Sequence, residues 1–190
     1  MKDKLFAALL PHVPFDGWTD AALRRAAKDT GIDLALARDY FPDAITMIDH
    51  HHRQTDAAMV VPEAGGITAK VRAAILSRFD FMQPDREAVR RALHTLSLPQ
   101  NLYAATKMSY RSADAIWQAV GSNDQGFDWA TKRTTLIAVY GATLLFWLSD
   151  EGQDRAALET FLDTQLQRLL TVMKPLSQLK THVVNAFSPG

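Results

Sequence analysis

The stretch Ile48-Asp49-His50-His51-His52, with Asp56 one turn further on, is the densest collection of potential metal ligands and proton carriers in the chain. Its spacing argues against a metal centre. On a helix successive side chains point about 100° apart, so three consecutive histidines cannot converge on one ion, although Asp49, His52 and Asp56 share a face. With no further ligand cluster at metal spacing, the expectation is a solvated, partly pH-sensitive helix face. Other chemistry is equally thin. There is no cysteine, which removes thiol nucleophiles, zinc-thiolate sites, iron-sulfur clusters and disulfides. The sequence contains no Glu-x-x-His pair, nucleophile elbow, glycine-rich phosphate loop or dinucleotide fingerprint. No residue is assigned a catalytic role.

The elements that must carry any site are helices. Helical periodicity runs nearly end to end, nothing alternates like a strand, and the chain is expected to be all-α with about ten helices. A first helix ends near His12. Thr19 caps a second that runs to Thr30, with Trp18 and Leu23 at staple spacing and Gly31 as the stop. Asp33 caps a short helix closed by Pro42, and Asp43 opens a longer one. Further helices are expected over about 67–82, 85–96, 101–120, 128–149, 153–174 and 176–187. The division is a helix-turn-helix-like head over 1–43 and one compact helical body over 44–190.

Charge decides what the head can do. The 190 residues hold 21 basic and 21 acidic side chains, so no global field draws the molecule to nucleic acid or to an anionic bilayer. Within 1–42, Lys2, Lys4, Arg24, Arg25, Lys28 and Arg38 face Asp3, Asp16, Asp20, Asp29, Asp33 and Asp39 in equal number. A groove-reading helix neutralises phosphates and aims polar side chains at base edges. The 33–41 segment, with one arginine against two aspartates, offers neither. The head therefore reads as a packing unit.

The strongest signal is apolar. Residues 134–148, TTLIAVYGATLLFWL, carry no charge yet fall short of the ~20 residues needed to span a bilayer. Hydrophobic on all sides, this helix is expected to be buried by other helices, by a second subunit or by an apolar ligand. Ala138, Gly141 and Ala142 permit close packing or leave a cavity. Candidate cavity residues are Ile75, Phe79, Met82, Tyr140, Leu144 and Trp147, each equally suited to plain core. Upstream, Ile116, Trp117, Phe127 and Trp129 suggest either an aromatic partner site or a plug for the bundle end. After Pro175, Leu176, Leu179, Val183 and Phe187 recur at helical spacing, with Lys174, Lys180 and His182 available to headgroups. That short amphipathic helix either lies weakly on a membrane or folds back on the bundle. The amino terminus resembles neither a signal nor a transit peptide, and the expected location is cytoplasmic, peripheral to the inner membrane.

Five segments, HVPFDGWTDAAL, FPDAI, SADAIWQAVG, FDWATKRTTLIAVYGATLLFWLSD and FLDTQLQRLLTVM, together resemble the accessory lipid-binding family of ubiquinone biosynthesis, coenzyme Q protein nine, in its alphaproteobacterial form. The likeness covers about residues 9–173. It implies a TetR-like, usually dimeric fold whose head persists without reading DNA, and a non-enzymatic role. It also implies an isoprenoid, quinone-intermediate or phospholipid ligand in the helical body, no other cofactor, and association with the di-iron demethoxyubiquinone hydroxylase. The family's partner patch maps onto Ile116 and Trp129, beside Trp117. Asp128 and Ala130 stand where the family motif has Asn and Tyr, and Gly121-Ser122 and Gln125-Gly126 replace its Gly-Asp and Thr-Asp. The alternative is a TetR-type regulator whose pocket senses an effector.

Overall fold

The structure, a computed structural model, describes residues 1–121, 126–151 and 154–168, and of 126–129 the backbone alone. The elements are α1 (Lys2–Leu9), α2 (Val13–Asp16), α3 (Asp20–Thr30), α4 (Leu34–Tyr40), α5 (Ala44–Ala57), α6 (Ile67–Met82), α7 (Arg86–Leu96), α8 (Leu102–Ala119), α9 (Gly126–Ser149) and α10 (155–168). Three single 3₁₀ turns precede α2, α7 and α8. Among the described residues there is no strand, and the fold is all-α.

Local chemistry sets the boundaries in the head. The Thr19 hydroxyl accepts from the Ala22 amide at 3.4 Å, which supplies the cap of α3. Gly31 ends that helix at φ 68°, where the Gly31 amide reaches the Lys28 carbonyl and the Ile32 amide reaches that of Ala27. This paired closure requires a left-handed residue, which glycine supplies without a Cβ clash. Asp33 accepts from the Ala35 and Leu36 amides at 2.9 and 3.3 Å, and Asp43 accepts from Thr46 at 2.7 Å. These caps fix the starts of α4 and α5.

The head encloses Leu5, Phe6, Leu9, Trp18, Leu23, Phe41 and Ile48, and its core continues into α7 and α8 through Ala88, Ala92, Leu96 and Met108. Trp18 lies against Phe6 and donates its indole N–H to the Ala88 carbonyl at 2.9 Å, a direct bond from head to body. Arg38 grips Asp20 with two bonds of 2.8 and 3.0 Å, Arg24 reaches the same carboxylate, and Arg25 pairs with Asp16. The arginines of the helix-turn-helix are thus spent within it.

The body core gathers α6, α8, α9 and α10 around Ile75, Phe79, Ile116, Leu136, Trp147 and Leu162. Leu158, Leu162 and Leu166 form the buried stripe of α10, and Phe161 stacks on Phe146 at 4.4 Å. No basic residue stands in the last turn of α9. Arg86 and Arg90 of α7 bond the Trp147, Leu148 and Asp150 carbonyls instead, and offset the negative end of its dipole.

Within the single chain the α9 segment is covered on one side and open on another. Leu136, Val139, Thr143, Trp147 and Leu148 are buried, but Ala138 and Leu145 lie open, Leu145 at 59% exposure. Within one chain, α6, α8 and α10 cover only part of its circumference.

Candidate functional site

The three consecutive histidines of α5 part company as helical geometry requires. His50 packs its ring against Phe6 and Phe41 and meets Asp3 at 3.1 Å. His51 is buried beside Trp18 and lies 3.6 Å from Asp85. His52 turns the third way, into the body. The expected solvated face is therefore absent, because α5 is packed by α1, α6, α7 and α8. Asp49 and Asp56 do not flank a free metal position either. Asp49 binds Arg53 and Arg111, and Asp56 binds Arg78 and Ser112. Burial alone would raise the Asp49 pKa, but the two arginines outweigh it and hold it below the ordinary carboxylate value.

What His52 faces is a cavity of about 310 Å³ between α5, α7, α8 and α9. Its wall is mostly hydrocarbon. One stripe of α8 supplies Leu102, Ala105, Ser109, Ser112, Ala113 and Ile116, while α7 supplies Val89, Ala92, Leu93 and Leu96. Leu136, Ile137, Tyr140, Gly141 and Leu144 of α9 close the far side. Small side chains on α8 and the bare Gly141 create the space, for a Cβ at Gly141 would meet nothing within 4 Å. Ser97 and Leu102 line the cavity yet are exposed, which places its mouth at the turn between α7 and α8.

Beneath the wall lies an ion pair. Arg78 of α6 has no exposed surface, binds Asp56 and Ser112, and lays its guanidinium 5.0 Å from the centre of the Tyr140 ring. Ser112 completes the triangle by donating to Asp56 at 2.9 Å. The cluster cross-links α5, α6 and α8 immediately behind the cavity. Burial pushes His52 down to about 4, with Arg78 and His51 adding to the effect and Asp56 opposing it. At neutral pH His52 therefore meets the cavity uncharged.

The sequence-derived cavity residues divide. Tyr140 and Leu144 line this cavity, and Met82 joins them in a small adjoining space that also touches His51 and His52. Ile75, Phe79 and Trp147 stand behind the wall in the core, where Phe79 stacks on Tyr140 at 5.5 Å and meets Trp147 at a tilt with ring centres 5.3 Å apart. Ile116, sought at a partner surface, is 1% exposed and lines the cavity. Trp117 is also buried, under the Lys132 ammonium at 5.5 Å. The Trp129 side chain and the membrane candidates Leu176, Leu179, Val183 and Phe187 lie outside the described residues. Sequence reading missed His52, Ser109 and Ala113 as lining residues. For Ser109 and Ala113 the signal was present in the small residues recurring at helical spacing along α8.

The stripe that builds this wall begins at Leu102, and the same stretch of chain carries a family signature. Residues 102–173 match the COQ9 family. The resemblance read from the motifs is thus borne out, and full-length comparisons extend it. The chain is 24% identical to human "Ubiquinone biosynthesis protein COQ9, mitochondrial" over 95% of its own length and 61% of that protein's. It is 26% identical to the probable coq9 protein of Dictyostelium discoideum, covering 92% of this chain and 61% of that one, and 25% identical to coq9 of Schizosaccharomyces pombe, covering 92% and 70%. The chain spans about three-fifths of the length of the first two COQ9 relatives. Among solved structures, a TetR transcriptional regulator from Nitrosomonas europaea superposes with a TM-score of 0.69 at 17% identity, over 88% of this chain and 97% of that one. The fold is TetR-like. No described helix is long and apolar enough to cross a membrane.

Proposed function

We propose that this COQ9-like chain is a non-enzymatic accessory protein of ubiquinone biosynthesis that holds an isoprenoid, a quinone intermediate or a phospholipid in the cavity between α5, α7, α8 and α9. The observation that carries the reading is the cavity itself, apolar over most of its wall, open at one end and with its α8 and α9 walls inside the COQ9-matching segment. Its volume lies at the small end of ligand pockets, ~300–1,000 Å³. A long-chain lipid is therefore held by one end. Among the described residues no group of three or more His, Asp or Glu could hold a metal ion, and the Ser109 and Ser112 hydroxyls of the lining are bonded to the Ala105 carbonyl and to Asp56, which suits carriage and presentation.

The same reading assigns the protein to the surface of the inner membrane, with the 176–187 segment as contact and the demethoxyubiquinone hydroxylase as recipient. Support for the hydroxylase is the family likeness around Trp129, since Ile116 belongs to the cavity wall. A second copy covering Ala138 and Leu145 fits the open side of α9, where small residues allow close helix approach. The relation to a TetR regulator concerns the fold, and the arginines of α3 and α4 already occupied by Asp16 and Asp20 argue against nucleic acid as partner.

The test is made in cells lacking the gene and supplied with variants whose cavity is filled, Ala105→Phe and Ser109→Phe. Thermal unfolding of the purified variants checks that they fold. Ubiquinone should fall and its demethoxy precursor accumulate. Normal ubiquinone with a folded, filled protein would overturn the proposal.

A further inference from the structure

The cavity wall is not uniform, and its polar atoms are gathered away from the mouth. Along α8 the lining runs from the exposed Leu102 past the buried Ser112, about 15 Å further on at 1.5 Å per residue, to Ala113 and Ile116. Leu102 and Ala105 offer only hydrocarbon. Ser109 donates its proton to the Ala105 carbonyl at 2.9 Å, which leaves its oxygen free to accept. Ser112 is committed to Asp56 and Arg78. His52 stands opposite on α5. It is held by bonds one turn to either side, Asp49 to Arg111 and Asp56 to Ser112, which tie α5 to α8.

His52 has unspent hydrogen-bonding capacity in its ring, since its Nδ1 is buried and has no partner in the protein. A buried polar atom of this kind costs free energy unless something pairs with it. The neighbouring charges already answer one another, Arg78 with Asp56 and Arg111 with Asp49 and Asp56. A neutral group that both donates and accepts is the chemical match to an uncharged imidazole, whichever of its nitrogens carries the proton.

We infer that the cavity takes an amphiphile head first, with a neutral hydroxyl group hydrogen-bonded to His52 and the apolar chain leaving past Leu102. The inference rests on the apolar-ligand reading above and adds to it a chemical class and an orientation. Volume requires the same direction, because a cavity of about 310 Å³ cannot enclose a long chain and its open end is the apolar one. Exposed Leu98, Leu102 and Tyr103 continue the apolar surface outside the mouth.

The test uses the full chain and two neutral probes of equal length, 4-octylphenol and octylbenzene, titrated calorimetrically at neutral pH. The wild type should prefer the phenol by about three- to tenfold, the range of one net hydrogen bond. His52→Phe should keep octylbenzene binding within about twofold and lose the preference, while His52→Gln should retain it. Lengthening the phenol's chain to dodecyl should not weaken binding, because the added carbons lie outside. Equal binding of the two probes by the wild type, a preference that survives in His52→Phe, or weaker binding of the longer chain would each overturn the head-first inference while leaving an apolar cavity. Failure of both probes to bind would overturn it together with the apolar-ligand reading.

Discussion

Replacing Asp56 with asparagine isolates the electrostatics of the cluster behind the cavity. The change is isosteric and keeps an oxygen for the Ser112 hydroxyl, but it strips the fully buried Arg78 of its counter-charge. Arg78 then retains neutral partners, Ser112 at 3.3 Å, the Met59 sulfur at 3.9 Å and Tyr140, whose ring centre lies 5.0 Å away. An uncompensated buried charge of this kind costs about 3–5 kcal/mol. That is a large share of the ~5–15 kcal/mol that holds a domain folded. For a chain of this size each kcal/mol lowers Tm by roughly 2–4 °C, so the variant should melt about 6–20 °C below wild type. Urea unfolding followed by circular dichroism gives the free energy directly. The double variant Asp56→Leu with Arg78→Met should recover much of the loss, since a well-packed apolar pair avoids the desolvation penalty altogether. An Asp56→Asn loss below about 1 kcal/mol, or a double variant as unstable as the single, would refute the assignment of a buried, mutually dependent pair.

Three further expectations follow from single contacts. His52 is protonated near 6.5 in the unfolded chain and near 4 in the folded one, so between those values the unfolded state binds more protons and stability falls as pH drops. That gap caps the loss at about 3 kcal/mol, and urea midpoints measured from pH 7 to pH 4 should fall less in His52→Gln than in wild type. Trp18→Phe removes the bond to the Ala88 carbonyl and should cost about 1 kcal/mol by chemical unfolding, as the price of detaching head from body at that point. Gly141→Ala should stabilise α9 by up to about 1 kcal/mol, because the added methyl meets open space and helix propensity favours alanine. A Gly141→Ala protein less stable than wild type would mean that the cavity wall is closer-packed than described.

The head was readable from sequence because its rules are local. Thr19, Gly31, Asp33 and Asp43 act on backbone within a few residues. The body was readable as helices but not as a site. Tyr140 and Leu144 belong to the wall, whereas Phe79 and Trp147 stand one layer behind it, and nothing in α6 or α9 alone distinguishes the two layers. The difference arises where small residues of α8 face Gly141, a relation between two elements. Arg78 illustrates the same limit. An arginine within an α6 rich in alanine, leucine and phenylalanine reads as surface until Asp56, 22 residues earlier, is brought against it. The uncovered side of α9 was hidden for the opposite reason, since uniform hydrophobicity requires cover without saying which molecule supplies it.

Native mass spectrometry of the purified protein, with organic extraction of whatever accompanies it, tests the central claim most directly. The account predicts a stoichiometric isoprenoid, quinone intermediate or phospholipid, released when Ala105→Phe or Ser109→Phe fills the cavity. A mass equal to the bare chain that stays unchanged when ubiquinone precursors are added would contradict it.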